Sequence, residues 1–176
     1  MTRTGRWVHG VAAAGLLLCI SAGAAHAATD ISDCRQLSSA NSTYRLVADL
    51  TSTGTCLDVR ADDVTIDGNG HTITYTSDSS DQAAIYARYA NSPVIHDVTI
   101  NMTNGVGDNG PAAIRSKGSV TIYNCTINVV QNANGTVWGI SSQGSGERSI
   151  HHNALRGSGD GSVVLIQASG VSDTSK

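Results

Sequence analysis

Val64-Thr65-Ile66-Asp67-Gly68-Asn69-Gly70-His71-Thr72-Ile73 sets apolar residues on either side of a short polar turn, and the pattern returns in residues 94–100, 120–127 and 149–155. The anchors Ile66, Ile95, Ile122 and Ile150 follow one another at intervals of 29, 27 and 28 residues. A fixed period of this size marks a solenoid, whose units bury an apolar face only against their neighbours. Within the units, Val98-Thr99-Ile100-Asn101 and Val120-Thr121-Ile122-Tyr123 alternate apolar and polar residues, the period of a strand with one buried face. Gly, Asn, Asp and Ser cluster between these runs, where tight or left-handed backbone makes corners.

A second series of strands opens each repeat: Leu57-Asp58-Val59-Arg60, Ile85-Tyr86-Ala87-Arg88, Ile114-Arg115-Ser116-Lys117, Ile140-Ser141-Ser142-Gln143 and Val164-Leu165-Ile166-Gln167. Their leading residues are separated by 28, 29, 26 and 24 positions. A third short strand around Ile73, Ile100, Ile127 or Leu155 completes each coil. Three parallel strands per coil predict an all-β chain, a single-stranded parallel β-helix of about four to five coils.

Arg3 and Arg6, an apolar run over residues 11–20 and the small residues ending Ala25-His26-Ala27 have the layout of a secretory signal peptide. The expected organisation is a signal peptide over residues 1–27, an N-terminal capping segment over 28–54 and β-helix coils over 55–176. Export places the chain outside the cytoplasm, secreted, extracellular or periplasmic, with no stable membrane insertion after cleavage. The remaining chain carries nine basic and 14 acidic side chains, a balance that argues against nucleic acid as a partner. Of its cysteines, Cys34 and Cys56 both precede the regular repeats and are expected to form a disulfide. Cys125, between Asn124 and Thr126, reads as a buried or turn thiol.

The run from Cys34 to Ile73, with Tyr44-Arg45-Leu46, Asp49-Leu50, Cys56-Leu57-Asp58-Val59 and Asp63-Val64-Thr65-Ile66-Asp67-Gly68-Asn69-Gly70, resembles the opening of secreted right-handed parallel β-helix repeat proteins. These form the pectate-lyase-like superfamily in the broad sense. The resemblance covers about a quarter of the chain, implies the right-handed architecture, and is shared by polysaccharide lyases, pectin hydrolases, epimerases, adhesins and a periplasmic copper-processing group. A lyase implies a calcium-binding acidic cluster with a basic residue. A hydrolase implies paired Asp motifs, Gly-His-Gly and Arg-x-Lys, of which only Arg115-Ser116-Lys117 has a counterpart. No catalytic residue is assigned, calcium enters only if the chain is a lyase, and no other cofactor is expected. The coils end without an evident capping element, which suggests self-association through the C-terminal edge.

Stacked coils turn equivalent outward positions into vertical columns about 4.8 Å per step. Arg60, Arg88, Lys117, Gln143 and Gln167 fall in one such column, and three stacked cations suit an anionic polysaccharide unless nearby Asp58, Asp62 or Asp63 pairs with them. Asp67, His96, Tyr123 and His151 fall in another, whose rings are suited to sugar contact. The candidate substrate-binding residues are therefore Arg60, Arg88, Lys117, His96, Tyr123 and His151. No metal site is expected. His151 and His152 should point to opposite faces of a strand, and Asp67 should face outward while Asp97 sits in a corner. Asp97, Asn124 and His152 are expected to satisfy corner backbone groups. The resulting reading is an exported module that contacts carbohydrate, with a polysaccharide lyase or hydrolase and a structural or adhesive surface protein as alternatives.

Overall fold

The computed structural model describes residues 27–77, 79, 81–104, 110–132 and 134–169. Apart from Ala27, the expected signal peptide lies outside the described residues. The chain opens with β1 (Thr29–Ile31) and β2 (Arg35–Leu37), then repeats a cycle of three strands. The cycles are β3 (Thr43–Leu46), β4 (Leu50–Ser52) and β5 (Leu57–Val59); β6 (Thr65–Asp67), β7 (Thr72–Ser77) and β8 (Ala83–Ala87). They continue with β9 (Val94–His96), β10 (Thr99–Asn104) and β11 (Ala112–Lys117); β12 (Val120–Tyr123), β13 (Thr126–Gln131) and β14 (Thr136–Gln143). The last is β15 (Arg148–His151), β16 (Ala154–Gly159) and β17 (Ser162–Ala168). No helix occurs among the described residues.

Every pairing is parallel and joins a strand to its counterpart one cycle away, which makes the molecule a parallel β-solenoid with three sheets. The first sheet runs β1-β3-β6-β9-β12-β15, the second β4-β7-β10-β13-β16 and the third β2-β5-β8-β11-β14-β17. The segment 28–54, expected as a cap, supplies β1 to β4, which pair in these same sheets.

The core is a set of vertical apolar columns. Ile66, Ile95 and Ile122 align in the first sheet, Ile73, Ile100 and Ile127 in the second, and Leu57, Ile85, Ile114 and Ile140 in the third, all fully buried. Each such side chain contributes about 1.5–3 kcal/mol by leaving water. The last repeat enters the third column at Ile166 rather than Val164, because Ile140 pairs with Ile166. Consequently Gln167 lies beside Ser141, not Gln143, and leaves the expected basic column. At this end the columns open: Ile150 and Leu155 are only partly buried, and Ile166 is 46% exposed.

The corner after the first sheet is built by left-handed residues. Asp97, Asn124 and His152 directly follow the aligned residues His96, Tyr123 and His151 and have φ of 54°, 53° and 54°. Asp and Asn tolerate this region better than most side chains. In the cycle below, the Asp67-Gly68-Asn69-Gly70 turn reaches over the next corner, with Gly68 N–H donating to His96 O at 2.8 Å and Gly70 N–H to Asp97 O at 2.8 Å. A Cβ on Gly68 would stand 2.4 Å from Val98 Cβ, so only glycine permits this approach.

The Cys34–Cys56 disulfide joins the residues that precede the paired Arg35 and Leu57, with Cα atoms 4.5 Å apart. It ties β2 to β5 where the stack has fewest neighbours. Closing this 22-residue separation stabilises the fold by about 3 kcal/mol through loss of unfolded-state entropy. Replacing both cysteines by alanine should lower the unfolding free energy by about that amount in urea titration, with hydrogen exchange rising first in β1 and β2.

Candidate functional site

The six candidate binding residues divide between two walls. Arg60, Arg88 and Lys117 belong to the third sheet or the turns that follow its strands, whereas His96, Tyr123 and His151 belong to the first. The fold brings together each set of three but not the six.

On the third wall, Asp58, Tyr86, Arg115, Ser141 and Gln167 form one register-defined column. Two residues further along each strand come Arg60, Arg88, Lys117 and Gln143, with Lys117 directly opposite Gln143. The cations are not equivalent. Arg60 Nε donates to Asp58 Oδ2 at 2.7 Å, and its guanidinium lies 4.6 Å from the Tyr89 ring centroid. That hydrogen bond to Asp58 raises the Arg60 pKa. Arg88 Nη1 approaches Asp81 Oδ1 at 3.3 Å, and hydrogen bonding to Tyr86 raises the Arg88 pKa. Lys117 is exposed and lines a cleft of about 310 Å³ with Arg88, Tyr89, Asn91 and Ser145.

Arg115, which the sequence placed only in an isolated Arg-x-Lys segment, is the most constrained cation of this wall. It is 8% exposed, and its Nη1 donates to Asp81 Oδ1 at 3.0 Å. Its Nε and Nη2 are buried without a hydrogen-bond partner. Burial lowers its pKa, opposed by the charge of Asp81. The guanidinium lies 5.9 Å from the Trp138 ring centroid, and Trp138 packs on a small apolar cluster of Ala83, Tyr86 and Ala112 separate from the main core. Asp81 thus serves two arginines from adjacent strands, a role its sequence position before Gln82-Ala83 did not signal.

On the first wall the column is Asp30, Arg45, Asp67, His96, Tyr123 and His151. His96 stacks on Tyr123 with centroids 4.9 Å apart and planes 10° apart, and Tyr123 on His151 at 5.5 Å and 5°. The ring faces therefore lie against one another along the stack, and the ring edges meet solvent. The arrangement presents polar rims rather than a flat platform for a sugar ring.

Asp67 and Asp97 do converge, contrary to the expected separation. His96 Nδ1 lies 2.7 Å from Asp97 Oδ2 and 3.8 Å from Asp67 Oδ1. The left-handed backbone at Asp97 turns its side chain back toward the strand it has just left. The same geometry at His152 overturns the expectation of opposite faces, because His151 Nδ1 and His152 Nδ1 are 2.7 Å apart. Corner backbone groups are instead satisfied one residue later: Asn153 Oδ1 accepts from Cys125 N–H at 2.9 Å, and Asn153 Nδ2 donates to Ile122 O at 3.0 Å. Asn124 is exposed.

Cys125 occupies the buried position equivalent to Val98, with Sγ donating to Tyr123 O at 3.3 Å. Burial pushes its thiol up to about 11.

No family model, curated protein or solved structure matches the chain. The arrangement itself must carry any functional reading.

With a thiol pKa near 11, about one Cys125 side chain in a hundred to a thousand is ionised at pH 8–9. Ellman's reagent at pH 8 should therefore leave Cys125 unmodified in the folded chain and react within minutes after unfolding. Rapid reaction of the native protein would contradict the inward placement of this side chain.

Proposed function

We propose that this chain is an exported right-handed β-helix module, related in the broad sense to the pectate-lyase-like proteins, that contacts an acidic polysaccharide along the outside of the third sheet. The observation that carries the reading is the unfilled edge of Arg115. Nε and Nη2 project from one side of the planar guanidinium, the pair of donors that grips a carboxylate side-on. A buried donor left without a partner costs about 1–3 kcal/mol, and a uronate carboxylate that reaches these enclosed atoms, once the side chains covering them part, recovers that cost. Asp81 holds the third nitrogen and so fixes the plane of the fork. The half-buried Trp138, packed on the buried cluster that includes Tyr86, lies beside it as an apolar surface suited to a pyranose ring, and Lys117 stands two residues along the same strand for a neighbouring charge. In this arrangement Arg60 and Arg88 are held by Asp58 and Asp81 and shape the wall, while Arg115 and Lys117 meet the ligand. The disulfide supports an oxidising compartment outside the cytoplasm.

Affinity electrophoresis through polygalacturonate should show retention of the parent chain. Arg115→Met and Lys117→Ala should each weaken it by about tenfold, the scale of a lost charged hydrogen bond. Migration through neutral dextran should be the same for all three. A parent chain that ignores polygalacturonate, alginate and heparin alike rejects the reading.

A second reading, end-to-end self-association, is favoured by the exposed Leu165 and Ile166 on β17. Among the described residues β17 is the end strand of the third sheet, and a parallel edge with apolar side chains accepts another strand. Sedimentation equilibrium should then show concentration-dependent dimers that Ile166→Lys shifts to monomer. A monomer at all concentrations eliminates this second reading.

A further inference from the structure

We propose that Asp67, His96 and Asp97 bind a first-row divalent cation of the Zn2+ or Mn2+ type on the first wall, a site separate from the polysaccharide wall. Among the described residues these three side chains form a group whose ligand atoms, one from each, all lie within 4.8 Å of one another. One imidazole nitrogen and two carboxylate oxygens make a mixed donor set. Such a set suits borderline divalent ions, whereas Ca2+ and Mg2+ favour oxygen alone.

Charge points the same way. Asp67 and Asp97 bring two carboxylates to one edge of His96. Arg45 precedes Asp67 in the column, but its Nε and Nη2 are both committed to Asp30 Oδ1, at 3.1 and 2.8 Å. Among the described residues no arginine or lysine pairs with Asp67 or Asp97. A hydrogen bond from Nδ1 to Asp97 at 2.7 Å uses the single proton that this nitrogen carries, and Asp67 at 3.8 Å is then too far to share it. A divalent ion placed between the three serves all of them and balances both charges.

The surroundings are those of a built site with room for solvent ligands. The three residues line an open cleft of about 450 Å³ together with Asn69, Gly70, Thr99 and Asn124. Each ligand is already oriented: Asp67 Oδ1 accepts from Asn69 N–H at 2.8 Å, Asp97 is aimed by its left-handed backbone, and the His96 ring is held by its stack on Tyr123. Pre-orientation of this kind removes much of the entropy loss on binding. The His151–His152 pair higher on the same wall offers two nitrogens with no carboxylate completing a set of three among the described residues, which makes it the competing locus.

The test is calorimetric titration of the EDTA-treated full chain with Zn2+, repeated with Ca2+, alongside thermal melts with and without Zn2+. One Zn2+ per chain is expected, with Ca2+ binding at least about tenfold weaker and Zn2+ raising the melting temperature. His96→Phe preserves a stackable ring but removes the nitrogen. Asp97→Asn keeps a residue type that already occupies the equivalent left-handed corner at Asn124. Loss of even an outer-shell partner weakens metal binding about 10- to 100-fold, so each substitution should weaken Zn2+ at least about tenfold and abolish the thermal shift. His151→Phe should change neither. The proposal is overturned if the parent fails to bind Zn2+, if Ca2+ binds as tightly, if Asp97→Asn retains full affinity, or if His151→Phe is the variant that loses it.

Discussion

In-register parallel stacking is the interaction on which everything else in this molecule rests. Each strand finds its hydrogen-bond partners one cycle away rather than in its sequence neighbours, so a side chain's surroundings are set by residues roughly 27 positions before and after it. The isoleucine columns make that register specific. Sliding one cycle by a single residue would turn Ile95 or Ile114 outward and put a polar neighbour into the core. The same rule that aligns isoleucines inside aligns charges and rings outside, and both candidate walls follow from it.

The outer columns show how a stack manages like neighbours. On the first wall Asp30, Arg45 and Asp67 alternate in charge, and the Asp30–Arg45 step closes as an ion pair before the stacked rings take over. On the third wall Arg60, Arg88 and Lys117 have no such alternation. Their repulsion is relieved sideways, by Asp58 on the strand of Arg60 and by Asp81 from the turn before β8. Asp81 then bridges to Arg115 on the next strand, which couples two cycles through one carboxylate. Exposed pairs of this kind contribute little stability individually; here the Asp81 bridge holds one Arg115 nitrogen and leaves the other two buried without a partner.

Period and alternation made the architecture readable from the amino acids alone. Ile66, Ile95, Ile122 and Ile150 gave the cycle, Leu57, Ile85, Ile114 and Ile140 gave the third sheet, and the position of Cys34 and Cys56 before the repeats gave the disulfide. The last cycle was misaligned because Val164 and Ile166 are equally apolar and two apart, so parity alone does not choose between them; only pairing with Ile140 does. Asp81 was missed for a different reason. It lies in a turn, where the repeat length varies and no column predicts its neighbours.

The corners explain why the chemistry was harder to read than the fold. Strand periodicity says that consecutive side chains part to opposite faces, and on that basis Asp97 should leave His96, and His152 should leave His151. A single left-handed residue at each corner reverses the rule by folding its side chain back over the preceding one. The backbone of this turn is common to three cycles, but its side chain is free to vary, as Asp97, Asn124 and His152 demonstrate. Three core columns keep isoleucine or leucine over three or four cycles, while the Tyr75, Met102 and Val129 column varies in size but stays apolar. A solenoid of this kind therefore concentrates its chemical variety at the left-handed position, where one substitution sets a carboxylate, an amide or an imidazole beside the ring that ends the strand, with no change in register.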